Sequence, residues 1–242
     1  MKKEKGSALL TVVLIASVTA TIGVAISSFI LMNYRLRLYD THVRRAEYAA
    51  EEIVDKTYLY VQEYCYNTFK NMAEKAQSDV SEEYNNEKDA EGVELVYWTI
   101  DEHGEYKLKT EKVVKVATEN YNVEFDNLCG EFKNEIVESL KDKNIINDSE
   151  IEIKEDKNII SNGTIEINFE KCVKNDKGKF TQPLKISYKI PKNAVIKSNP
   201  VVKFSVDIII ARPEYEDVIN TSYDIRNYVG ISNWSIDNNW NI

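Results

Sequence analysis

The sequence predicts an α+β protein: a long N-terminal helix, membrane-spanning in its first half and amphipathic in its second, packed on a C-terminal antiparallel β-sheet domain. Three observations carry that expectation. From Ser7 to Met32 no residue is charged. Between Gly23 and Gly92 there is neither Gly nor Pro, the residues that most often end helices. From Val93 onward, short runs alternate apolar and polar residues and are separated by Gly, Pro and Asn, the pattern of half-buried strands and turns. With 29% charged and 43% hydrophobic residues, the chain has the composition of a folded protein.

The opening residues, Met1-Lys2-Lys3-Glu4-Lys5-Gly6, are short, basic and end in Gly at the apolar border. A helix from Ser7 to Met32 is about 39 Å long, enough to cross a hydrocarbon core of about 30 Å. A segment in lipid must be helical there, because a helix satisfies its own backbone polar groups. Val18-Thr19-Ala20 matches a signal-peptide cut site, yet the apolar run continues past it to Met32. Lys2, Lys3 and Lys5 precede the span and Arg35, Arg37, Arg44 and Arg45 follow it, so charge bias alone does not orient it.

The Lys5-Gly6-Ser7 border followed by Ala8-Leu9-Leu10-Thr11-Val12-Val13-Leu14-Ile15 resembles the leader and first helix of type IV prepilins. That resemblance implies a leader over 1–6 recognised at Lys5, cleavage between Gly6 and Ser7 by a prepilin peptidase, and N-methylation of Ser7. It further implies a filament-core helix over 7–32, other pilins or pseudopilins as partners through that helix, a cytoplasmic N-terminus and an extracellular C-terminal domain. Most pilins carry Glu at the fifth mature position. Here it is Thr11, a departure that resembles X-type minor pilins and K-type pseudopilins. The resemblance covers roughly residues 1–60.

The helix continues through 33–76 as an amphipathic spine. Val43, Ala46, Ala50, Ile53, Thr57, Val61, Tyr64 and Thr68 recur at steps of three and four, and Arg44, Glu47, Glu51, Asp55 and Glu63 take the opposite face. Arg45 to Glu51 also resembles the Ala/Glu-rich patch of X-type minor pilins. The polar run over 77–92 reads as a frayed helix end and linker. A globular α+β domain then occupies 93–242, about 150 residues, which is large enough to bury a core.

Within that domain, Val93–Ile100 and Tyr106–Lys109 form a hairpin around Asp101-Glu102-His103-Gly104. Phe125–Lys141 is the one helical interruption, with Leu128, Phe132, Ile136 and Leu140 in step. Strands are expected over Ile151–Ile153, Thr164–Val173, Phe180–Ile190 and Val201–Ala211, with turns at Asn162-Gly163 and Asn175–Gly178 and strand ends at Pro191 and Pro213. The last thirty residues, through Tyr228, Trp234 and Trp240, read as one or two further strands and a loose end.

Little in the sequence points to chemistry. Pairs such as Glu51-Glu52 and Glu82-Glu83 belong to solvated faces, and His42 and His103 stand alone. The eight Gly include no phosphate-cradling loop. Asp156-Lys157-Asn158 and Asn175–Gly178 are fragments of a calcium loop without its closing Glu, so turn chemistry accounts for them. Asn-x-Ser/Thr triplets at Asn147, Asn162, Asn220 and Asn233 read as chance in an Asn-rich chain. Cys65, Cys129 and Cys172 lack CxxC spacing, which argues against a structural zinc site. Two states stay open for them: a disulfide, with Cys129–Cys172 the preferred pair, or three free thiols. The formal net charge is −9, and about −11 without the basic leader, which makes nucleic acid a poor non-specific partner.

The expectation is therefore a structural subunit without catalytic residues, metal or cofactor: a minor pilin or pseudopilin of a type IV pilus or type II secretion-like filament. The alternative is a single-pass receptor or adhesin that keeps its leader and is not assembled.

Overall fold

The computed structural model describes residues 2–89, 94–142, 164–175, 178–189 and 201–237. It has the expected α+β architecture. Helix α1 (Lys2–Asp89) is 88 residues long, about 130 Å at 1.5 Å per residue. The hairpin β1 (Trp98–Ile100) and β2 (Tyr106–Leu108) leads into α2 (Thr110–Asp142). Strands β3 (Thr164–Phe169), β4 (Val173–Lys174), β5 (Lys179–Lys189), β6 (Val201–Ala211) and β7 (Val229–Asp237) complete the chain, with the short helix α3 (Tyr215–Ile219) and a 3-10 turn (Ile225–Asn227) between β6 and β7.

The five-stranded sheet is antiparallel throughout, in the order β3-β5-β6-β7, with β4 also on β5. Period-two alternation sets its faces. Phe180, Leu184, Ile186 and Tyr188 of β5 and Val202, Phe204, Val206, Ile208 and Ile210 of β6 point into the core. Both helices cover that inner face. Along α2, Ala117, Tyr121, Phe125, Leu128, Phe132, Ile136 and Leu140 are buried at steps of three and four. Along α1 the buried row is Ala46, Ala50, Ile53, Thr57, Val61, Cys65, Phe69, Ala73, Ala76 and Val80. The two helices run antiparallel: Tyr64 meets Phe132 edge-on at 5.7 Å, Phe69 meets Phe125 at 5.7 Å, and Lys75 bonds Glu124 at 2.6 Å. Phe180 ties the pair to the sheet, 5.4 Å from Phe125 and 5.2 Å from Phe132.

The expected spine face is the buried one from Ala46 to Val61, and Arg44, Glu51, Asp55 and Glu63 are exposed as read; Glu47 is half-buried, and past Val61 the buried row passes to Cys65 and Phe69, leaving Tyr64 and Thr68 half-buried. Two expectations need correction. The run read as a linker from 77 is helix up to Asp89. Its Val80 is buried, Tyr84 packs edge-on against Trp98 at 5.9 Å, and the Glu87 carboxylate accepts the backbone N–H groups of Val96 and Tyr97. These partners lie in β1 and the two residues before it, so the polar run gains contacts that its own composition does not announce. Helix α2 starts at Thr110 rather than Phe125. Val113, Val116 and Ala117 sit on its packed face, although a Val-rich run also suits a strand. Among the described residues the last thirty contain one strand, β7, as expected, preceded by α3.

The hairpin β1–β2 forms where it was expected, in shorter strands. Strand β6 has the expected bounds and β5 starts one residue early. The expected strand 164–173 is divided between β3 and β4. At the β4–β5 turn Gly178 has φ +79°, a backbone state that favours Gly, and its carbonyl accepts Arg212 N–H at 2.8 Å. The expected strand at Ile151–Ile153, the turn at Asn162-Gly163, Pro191 and the Asp156-Lys157-Asn158 fragment lie outside the described residues.

Candidate membrane and assembly helix

From Leu9 to Arg37 every residue of α1 is exposed. Leu9 and Phe29 each show 67% of their surface, and Val24 shows 68%. Soluble monomers rarely expose a contiguous apolar patch beyond a few hundred Å², and here an entire helical cylinder is bare. The segment is long and apolar enough to cross a membrane. Its hydroxyls suit an apolar surround, because several are satisfied within the helix. Ser17 donates to the Leu14 carbonyl at 2.9 Å, Thr19 to Ile15 at 2.8 Å and Thr21 to Ser17 at 2.8 Å. In lipid an unbonded hydroxyl would cost free energy, and this back-bonding removes that cost.

Lys5, Gly6 and Ser7 lie in the helical backbone of α1, and Thr11 is exposed one turn further on. The polar border follows at Arg35 and Arg37. Then the helix meets the domain: Arg44 bonds Asp40 at 3.2 Å, and His42 is 2% exposed. Burial, followed by the charge of Arg45, holds the His42 imidazole below its ordinary pKa, so it stays neutral at pH 7. No chain break, Gly or Pro separates the bare half from the packed half.

Away from α1, the residues singled out in the sequence are mostly structural. His103 is in the hairpin turn, where Asp101 Oδ1 accepts the N–H groups of His103 at 2.8 Å and Glu105 at 2.9 Å. Asn220 and Asn233 are exposed. Among the described residues no three His, Cys, Asp or Glu side chains are placed to hold a metal ion. Two shallow hollows of about 430 and 370 Å³ lie on the outer sheet face. The first is lined by Glu166, Lys185, Ser187 and Lys203, and Glu166 bonds Lys189 and Ser187 rather than presenting a free carboxylate.

Two features were missed or left open by sequence reasoning. The first is an aromatic tip at the C-terminal end of α1. Trp98 donates its ring N–H to the Tyr84 carbonyl at 2.8 Å, Tyr106 meets Trp98 edge-on, and the Lys88 ammonium lies 5.2 Å from the Trp98 ring centre. Val96, Ile100 and Tyr106 remain exposed around it. The second is the cysteine arrangement. The Cys129 thiol lies 3.0 Å from Cys172 Sγ, whereas Cys65 is fully buried on α1 without a cysteine neighbour. Burial, then the hydrogen bond from Cys129, pushes the Cys172 thiol well above the ordinary thiol range.

The local cause of that pairing is Pro183 in mid-β5. It has no N–H to give to a neighbouring strand. At its level the edge strand breaks: β3 ends opposite Leu184 and β4 begins opposite Thr181. The intervening strap, Glu170–Cys172, keeps one backbone bond, from the Glu170 N–H to the Pro183 carbonyl at 3.0 Å, and the Gln182 side chain donates to the Glu170 carbonyl at 2.8 Å. In the strap the alternation slips by one residue, so that Lys171 is exposed and Cys172 faces inward. A Pro in a strand that otherwise reads as central was the available signal. Comparison of the chain with protein-family models, with curated proteins and with solved structures finds no match.

Proposed function

We propose that this chain is a minor pilin or pseudopilin, a structural subunit of a type IV pilus or type II secretion-like filament. One observation carries the reading: α1 is a single uninterrupted rod whose first half is bare and apolar and whose second half is the spine of a folded domain. Lipid covers the bare half before assembly, and neighbouring helices of the same kind cover it afterwards. The subunit performs no chemistry of its own. It is a substrate for leader cleavage after Gly6 and for methylation of Ser7, with the N-terminus cytoplasmic and the sheet domain outside.

The test is processing. Intact-mass and N-terminal peptide analysis of membrane-extracted protein is expected to give a chain beginning at methylated Ser7. A mature chain beginning at Met1, or at Thr21 after signal-peptide cleavage, would sink the reading.

Thr11 supports a position at the filament tip. A carboxylate at this place in an apolar core needs a partner amine from the subunit above, since an unpaired buried charge costs several kcal/mol. Thr11 carries no charge and imposes no such requirement. Label attached to the C-terminal domain is expected at one end of sheared filaments; label spread along the shaft would refute the tip.

The second reading, an unassembled single-pass receptor or adhesin, draws on the exposed aromatic tip of Val96, Trp98, Ile100 and Tyr106, which a surface protein would present to a partner. It requires the chain to begin at Met1 in the same mass measurement.

A further inference from the structure

We infer that Cys129 and Cys172 form a structural disulfide that fastens α2 to the β3–β4 strap. The inference rests on geometry and stands apart from the proposed role in assembly. The sulfurs already lie 3.0 Å apart, so a small side-chain rotation brings them to the bonding distance of about 2.05 Å. Their meeting has a local origin: Cys172 turns inward where the edge pairing breaks register beside Pro183, which has no N–H to give. The pair also lies at a joint. Cys129 is one helical turn before Phe132, which packs on Phe180 of β5, and the strap rejoins the sheet as β4 beside that same Phe180, opposite Lys174.

The step balances with a disulfide as oxidant. Cys129, the more exposed of the two, attacks one sulfur of the oxidant as a thiolate and releases the other as a thiol. Cys172 then loses its proton and attacks the Cys129 sulfur, expelling the second thiol. Two protein thiols lose two electrons in total, and one oxidant disulfide becomes two thiols. Cys65 takes no part, being fully buried, while the close sulfur contact joins Cys129 and Cys172. The closed loop holds the residues from Gly130 to Lys171, a length at which a crosslink strongly restricts the unfolded chain.

The experiment uses the reduced full chain in detergent, equilibrated with a glutathione buffer in which the oxidised form is in excess. After acid quenching, denaturation and alkylation without reductant, intact mass counts the free thiols. One adduct, located on Cys65, and a linked peptide pair containing Cys129 and Cys172 are expected. Three adducts, a lasting glutathione adduct on Cys129, or any link to Cys65 would overturn the inference. Reduction of the bridged chain is expected to lower Tm by about 10 °C, in wild type and in Cys65→Ala alike; a Tm indifferent to reduction would overturn the fastening role. Because the purified chain is measured, this result is independent of leader processing, which the N-terminal mass decides separately.

Discussion

Ala50→Arg is expected to destabilise the protein by about 3–5 kcal/mol, while Glu51→Arg, one residue on, leaves stability nearly unchanged. Ala50 is 1% exposed and lies in the row from Ala46 to Val61 that α1 buries in the core. A guanidinium there either loses its water without a partner or pries the helix from the domain. Glu51 projects into solvent on the other face, where surface substitutions alter stability by about 0.5 kcal/mol at most. Urea unfolding of the full chain in detergent, followed by the emission of its three tryptophans, compares the two. Equal midpoints would reject the packed face assigned to the spine.

Phe132→Ala is expected to cost a similar amount, about 3–5 kcal/mol, for a different reason. Phe132 is fully buried and touches three layers at once: Tyr64 of α1 at 5.7 Å, its own helix α2, and Phe180 of the sheet at 5.2 Å. Removing its ring leaves a cavity between elements that the other aromatic rings already hold apart, so the site cannot collapse cheaply. Val123→Ala, on the exposed side of the same helix at 60% exposure, is the control and should be nearly silent. A Phe132→Ala midpoint within error of that control would show that α2 does not bridge spine and sheet.

The bare apolar helix and the spine were legible in the sequence because their signals are local. An uncharged run, the lack of Gly and Pro from 24 to 91, and a recurring row of small and apolar residues are properties of consecutive residues, and a helix needs only consecutive residues to form. The same holds for β5 and β6, whose alternation fixes which side chains enter the core before any partner strand is known. The candidate surface itself, the bare helix from Leu9 to Arg37, was therefore already readable in outline.

Tertiary structure decided the rest, wherever a residue's role depends on a partner distant in sequence. The helix runs on to Asp89 because Tyr84 and Glu87 find Trp98, Val96 and Tyr97 across a hairpin, so a charged run that looks like a linker keeps its helical form. Val113, Val116 and Ala117 suit either a strand or a helix, and packing against the core selects the helix. Composition left the cysteines open between one bridge and three thiols. What places Cys172 beside Cys129 is a proline in the neighbouring strand: its missing N–H breaks the edge pairing and shifts the strap's alternation by one residue, an effect that exists only once β5 has neighbours to bond.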